Sequence, residues 1–172
     1  MTRIEHPFGP LYSSHSRILI LGSFPSVRSR EQEFFYGHPQ NRFWKVIAAV
    51  FDAPVPKTIG EKKDLILDND LALWDSIASC EITGSSDASI KSVRANDLGV
   101  ILDNCSIERI YCNGRKSHEM YRKHIEPYTG REAVCLPSTG PANAQWTLER
   151  LIGAWSAIRY GEDKKEITSK NE

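Results

Sequence analysis

The sequence has no surplus of charge in either direction. Lys and Arg together number 22, as do Asp and Glu, so the formal net charge is zero. A protein that coats polyanions non-specifically needs many cations facing phosphates. Here any contact with nucleic acid must rest on a local basic patch. Cysteine is scarce as well. Cys80, Cys105, Cys112 and Cys135 form no CxxC pair, which argues against zinc or iron–sulfur ligation. Nothing points to a disulfide scaffold, and Cys112 and Cys135, in or at the end of apolar runs, read as buried small hydrophobes. No metal and no redox cofactor is implied. The N-terminal MTRIEHPFGPLYSS lacks an apolar h-region, and no run is long enough to cross a bilayer. The expectation is a soluble, cytoplasmic protein with no membrane partner. A length of 172 residues suits one compact domain, expected over residues 1–160, with a charged, frayed tail over 161–172.

What is present is an alternation of short apolar runs and helical spacings. Residues 1–16 read as an irregular lead-in. Arg17–Gly22 reads as a buried strand ended by glycine. Phe43, Val46, Ile47, Val50 and Phe51 fall at helical spacing over 42–51, stopped by Asp52-Ala53-Pro54. Thr58–Asn69 is a second helix, with Thr58 and Glu61 at capping-box positions. A strand follows at 71–77, then a long polar loop at 79–93 and a helix at 94–105 with Leu98, Ile101, Leu102 and Cys105 on one face. A strand at 108–112, a helix at 115–125, a strand at 131–136 and a long helix at 142–159 complete the chain. Strands alternating with helices imply a mostly parallel sheet covered on both faces. Right-handed crossovers put the loops after all four strands on one sheet edge, where open α/β sheets bind ligands.

Two of those loops carry unusual chemistry. The first, Gly22 to Trp44, reads GSFPSVRSREQEFFYGHPQNRFW; the second is Pro137-Ser138-Thr139-Gly140-Pro141. Gly22, Ser23 and Ser26 let backbone N–H groups approach an anion, although no Walker sequence or dinucleotide fingerprint is present. Ordinary strand-to-helix turns explain the same composition. Asn41, just before a helix, suits an N-cap.

The ordered set GSFPS, YGHPQNRFW, LWD, CNG and LPSTGPAN resembles the uracil-DNA glycosylase superfamily, and more narrowly its deoxyinosine (hypoxanthine-DNA) glycosylase branch, over about residues 17–159. The resemblance implies an α/β fold, a three-layer α/β/α sandwich on a four-stranded parallel sheet, consistent with the pattern above. It implies a monofunctional DNA glycosylase that flips out a deaminated base, hypoxanthine by preference, and hydrolyses its N-glycosidic bond. The implied partner is DNA containing a deaminated base, bound by a monomer without cofactors.

The same resemblance distributes roles. Phe24 stands where many relatives carry a water-positioning Asp or Asn, so catalysis shifts to Asn41, an amide that orients water and stabilises charge rather than acting as a strong base. Base-binding roles fall to Phe24, Tyr36, Asp75 and His38: Tyr36 as a stacking ring, Asp75 as an acceptor for hypoxanthine N1–H, His38 facing either the pocket or solvent. Backbone-binding roles fall to Ser23, Ser26, Ser138, Thr139 and Arg115. Leu136 replaces the histidine that better-known relatives place before the Pro-Ser. Arg28, Arg30, Arg42, Lys91, Arg94 and Lys116 lie near the same loops and could neutralise a few phosphates. Other readings stay open: uracil or xanthine as the base, a non-catalytic reader of damaged DNA on the same fold, or a hydrolase of free nucleotides.

Overall fold

A computed structural model describes residues 2–161. All but one residue of the expected tail, 162–172, lies outside them. Four strands form a parallel sheet in the order β3-β2-β6-β7: β2 (Ile18–Gly22), β3 (Leu71–Asp75), β6 (Arg109–Asn113) and β7 (Val134–Leu136). Their period-2 alternation sends side chains to two separate cores. Ile18, Ile20, Leu71, Leu73 and Tyr111 pack on one face with α2 (Phe43–Val50), α3 (Ile59–Asp68) and α7 (Leu148–Trp155). Leu19, Leu21, Ala72, Ile110 and Cys112 pack on the other, against α4 (Gly99–Leu102) and α5 (Arg115–His124). Both faces are covered, as buried parallel sheets require, and the architecture is the expected α/β/α sandwich. Thr58 caps α3 by accepting from the Glu61 N–H at 3.0 Å.

The structure differs from the sequence reading at several places. The lead-in is not irregular: β1 (Arg3–Glu5) pairs antiparallel with β4 (Ile77–Glu81), and Leu11 bridges Leu73. The polar segment 79–93 is largely a hairpin, in which β4 pairs with β5 (Lys91–Ala95) around a 3-10 turn at Asp87–Ser89. β5 is an exposed edge strand whose only larger apolar side chain is Val93, so it has no clear alternation; pairing with β4 makes it a strand. The helix expected over 94–105 shrinks to α4, because Ala95 belongs to β5 and the Asp97 carboxylate accepts from the Gly99 N–H at 2.9 Å. Leu98 and Ile101 still face inward. The helix expected from 142 begins only at Leu148, after a 3-10 turn at Pro141–Asn143, where Thr147 accepts from the Arg150 N–H. The opening loop also holds a short helix, α1 (Val27–Gln32), that no apolar spacing announced.

The antiparallel sheet β1-β4-β5 sits beside the main sheet. Phe24, Ile77, Cys80, Ile82, Ile90 and Met120 form a third, smaller core there. This sheet brings the N-terminal strand to the carboxyl edge of β3, with consequences for the site below.

Candidate functional site

The parallel strands end together, at Gly22, Asp75, Asn113 and Leu136. A threonine ties the loops that leave them. Thr139 is fully buried. Its hydroxyl donates to Asn41 Oδ1 at 2.8 Å and accepts from Asn113 Nδ2 at 3.0 Å. Its N–H donates to Asn113 Oδ1 at 3.0 Å, and its carbonyl accepts from the Arg42 N–H at 3.0 Å. Asn113 thus grips Thr139 with both ends of its amide, and Thr139 hands the constraint on to Asn41. Gly114 lets the two loops touch: at φ 94°, a Cβ there would stand 3.1 Å from Ser138 Cβ.

Asn41 Oδ1 also accepts from the Phe43 N–H at 2.9 Å. Asn41 is therefore the side chain that caps α2, from one position before the formal N-cap Arg42. A backbone N–H can meet only the oxygen of an amide, so the orientation is settled. With both lone-pair directions of Oδ1 occupied, the NH₂ of Asn41 is the end without a partner among the described residues. The capping and catalytic readings of Asn41 are compatible: the oxygen caps and the NH₂ is left for a ligand.

Asp75 is buried, and its Oδ2 accepts from His6 Nε2 at 2.7 Å. Its Oδ1 lies over Gly22, the paired residue on β2. Tyr36 adopts φ 53° and stacks on Phe43, with centroids 3.9 Å apart and planes 20° apart. Its hydroxyl is buried and makes no hydrogen bond of normal geometry; Asp75 and Asn113 are its polar neighbours. Burial first, then the Asp75 charge, push the phenol far above its ordinary value, with Asn113 opposing. Tyr36 is therefore a neutral O–H donor at any ordinary pH.

The remaining predicted residues separate into groups. Phe24 is buried in the third core, edge-on to His6 at 5.9 Å and beneath the Arg30 guanidinium. Ser26 caps α1 by accepting from the Ser29 N–H. Ser23 donates to Asp87 at 2.8 Å. Although Asp87 as a residue is exposed, desolvation of its carboxyl raises its pKa, with the Ser23 hydrogen bond opposing. Ser138 Oγ accepts from the Gly140 N–H. His38 Nδ1 accepts from the Gln40 N–H, while its carbonyl accepts from the Asn41 N–H. The structure brings Asn41, Thr139, Tyr36 and Asp75 around the strand ends. It sets Phe24, Ser23 and Ser26 against the antiparallel sheet and its turn.

The basic residues divide in the same way. Arg42 donates to the carbonyls of Gly140, Asn143 and Trp146 and so staples the second loop. Arg30 donates to Pro25 and Gly84 carbonyls. Arg94 pairs with Glu5, and Arg28 lies 3.9 Å from Glu31. Among the described residues, Lys91, Arg115 and Lys116 enter no ion pair. Arg115 is exposed at the start of α5 and opens a shallow groove of mixed charge, lined also by His118, Glu119, Arg122, Lys123 and Glu126. No group of three His, Cys, Asp or Glu side chains among the described residues is arranged to hold a metal. No described helix is long and apolar enough to cross a membrane.

Sequence reasoning missed two members of the cluster. Asn113 stood in the CNG motif but was given no role. His6 carried no signal, since its partner lies 69 residues away. The Thr139 network yields a direct expectation. Thr139→Val keeps the shape but strands Asn113 Nδ2 and frees Asn41 to turn. Unfolding in urea should show a loss of about 1–3 kcal/mol relative to the wild-type chain.

Fold and edge together are those of the α/β DNA glycosylases. The chain belongs to the uracil DNA glycosylase superfamily, whose profile matches residues 10–159. It is 31% identical over 160 residues to a protein of Methanosarcina acetivorans named hypoxanthine DNA glycosylase, covering 90% of this chain and 98% of that one. A hypoxanthine DNA glycosylase of Methanosarcina barkeri is 28% identical over 154 residues, covering 88% and 96%. A solution NMR structure from Methanosarcina acetivorans, described as a candidate uracil DNA glycosylase, superposes with a TM-score of 0.78 at 27% identity, covering 94% of this chain and 99% of that one.

Proposed function

We propose that this glycosylase excises hypoxanthine from DNA as a monofunctional enzyme. The observation that carries the reading is the state of Asn41: its oxygen is committed to Phe43 and Thr139, and its NH₂ is free. The first-strand loop offers no carboxylate or amide at position 24, and Phe24 is buried. The names of the two Methanosarcina relatives support the choice of base.

In the proposed reaction, water attacks C1′ as the C1′–N9 bond breaks. The bonding electrons leave with the base, and the proton lost by water ends on base or solvent. The Asn41 NH₂ donates to developing negative charge or to the oxygen of the incoming water. Fixed donors of this kind act by stabilising charge without reorganising. The ring of Tyr36 offers a stacking surface for the flipped base. Asp75 Oδ1 accepts from the lactam N1–H, a donor that hypoxanthine has and adenine lacks. Arg115, Lys116 and Lys91 supply the local phosphate contacts that a neutral protein needs.

Oligonucleotides bearing one hypoxanthine, uracil, xanthine or adenine, treated with protein and then alkali, test the substrate. Strand scission is expected at hypoxanthine and not at adenine. The uracil name of the structural neighbour makes uracil the rival, and faster release of uracil than of hypoxanthine would overturn the assignment.

A further inference from the structure

We propose that His6 is a positioning residue for base selection: by holding Asp75 Oδ2 it keeps Oδ1 as a fixed, acceptor-only group that admits a lactam N–H and rejects a ring-nitrogen lone pair. The inference rests on the proposed reading of Asp75 and adds to it a residue from outside every motif in the sequence.

The geometry is specific. His6 Nε2 meets Asp75 Oδ2 at 2.7 Å, with the two side chains only 4% and 5% exposed. His6 Nδ1 accepts from the Phe8 N–H at 3.4 Å, so Nε2 is the nitrogen that carries the donated proton. The imidazole lies edge-to-face with Phe8, Phe24 and Trp74, at centroid distances of 4.5, 5.9 and 6.5 Å. The backbone is pinned too: His6 N–H donates to the Ala78 carbonyl at 2.8 Å, directly after the β1–β4 pairing. Asn96 Nδ2 donates to the Asp75 carbonyl at 2.8 Å, holding the other half of the pair.

The result is a carboxylate with one oxygen committed. The second, Oδ1, sits over Gly22 with no protein partner among the described residues. The Tyr36 hydroxyl approaches the same point, 3.1 Å from where a Gly22 Cβ would stand. With Oδ2 taken up by His6, the oxygen left to meet the base is the acceptor Oδ1, and adenine N1 would meet it lone pair against lone pair. The undeaminated parent base is thereby excluded by repulsion as well as by lost attraction.

The test is a double-mutant cycle on the full chain with His6→Phe, His6→Gln and Asp75→Asn, checked for folding by thermal melts. Turnover and affinity are measured on duplexes containing hypoxanthine or adenine. His6→Phe should lower kcat/KM on hypoxanthine by about tenfold to a hundredfold, the value of one hydrogen bond to a charged group. It should also narrow the ratio of affinities for hypoxanthine and adenine duplexes. His6→Gln, which keeps a donor at similar reach, should recover most of both. In the Asp75→Asn background His6→Phe should change little further. Additive losses, or a folded His6→Phe with wild-type rate and selectivity, overturn the proposal. A wild-type protein inactive on hypoxanthine overturns the proposed substrate instead; the same cycle read in affinities still decides the role of His6.

Discussion

Replacing Asn41 by Asp should abolish turnover as completely as replacing it by Ala. What decides this is which end of the amide is occupied. Asn41 Oδ1 accepts from the Phe43 N–H and from the Thr139 hydroxyl. An aspartate oxygen can accept both bonds, so Asn41→Asp keeps the cap and the tie to the second loop. What it loses is the NH₂. If catalysis depends on that donor, both variants lose about 10²- to 10³-fold in kcat, the range found when a single oriented donor is removed. They should differ in stability. Asn41→Ala forfeits an N-cap, costing about 1 kcal/mol, and leaves the Thr139 hydroxyl without its acceptor, whereas Asn41→Asp should melt close to wild type. Single-turnover rates on hypoxanthine duplexes, paired with urea unfolding, check both statements. Substantial activity in Asn41→Asp would mean that the oxygen, not the NH₂, faces the reacting water, and that the loop rearranges on binding DNA.

Gly22→Ala should be the most damaging single methyl in the protein. A Cβ at that position would overlap Asp75 Oδ1 and stand 3.1 Å from the Tyr36 hydroxyl. Neither neighbour can move cheaply. Asp75 is held by His6 through Oδ2 and by Asn96 through its backbone carbonyl, and Tyr36 is stacked on Phe43. Forcing extra volume into packed surroundings costs about 1–3 kcal/mol, and here the displaced group is the proposed base-reading carboxylate. Loss of stability should therefore come with loss of hypoxanthine release, while a folded Gly22→Ala with normal turnover would show that Asp75 can shift without consequence. Backbone strain plays no part, since the requirement at Gly22 is space alone.

The two variants act on different links of one structure. Asn41 is oriented from the second loop, through Thr139 and Asn113. Asp75 is oriented from the N-terminal strand, through His6. The strand ends of the parallel sheet bring both side chains to the same edge, and the antiparallel sheet and the 137–143 loop set their direction.

Much of this was legible in the amino-acid order. Strands β2, β3 and β6 were visible as apolar runs, because a strand buried on both faces must be largely apolar; β7, at the sheet edge, leaves Val134 and Cys135 exposed, against the buried reading of that cysteine. Helices α2, α3 and α5 followed from spacing and punctuation, and the family followed from the order of the loop motifs. The hairpin over 77–95 was not legible. Its outer strand reads Lys-Ser-Val-Arg-Ala, and such a segment becomes a strand only when a neighbour offers its hydrogen bonds. The delayed start of α7 was hidden for a related reason: Arg42, from a distant loop, binds the carbonyls of Gly140, Asn143 and Trp146, so the segment before Leu148 is held out of the helix.

The sequence by itself determined the sheet, the two cores and the residues that line the edge, since burial patterns and loop motifs are local. Only the tertiary structure decided what those residues do to one another. That Asn41 presents its NH₂ depends on Thr139, 98 residues away, and that Asp75 presents Oδ1 depends on His6, 69 residues away. Neither separation leaves a period or a spacing to read. Hydrogen-bond direction is set by which atoms meet, and meetings of that kind are made by the fold.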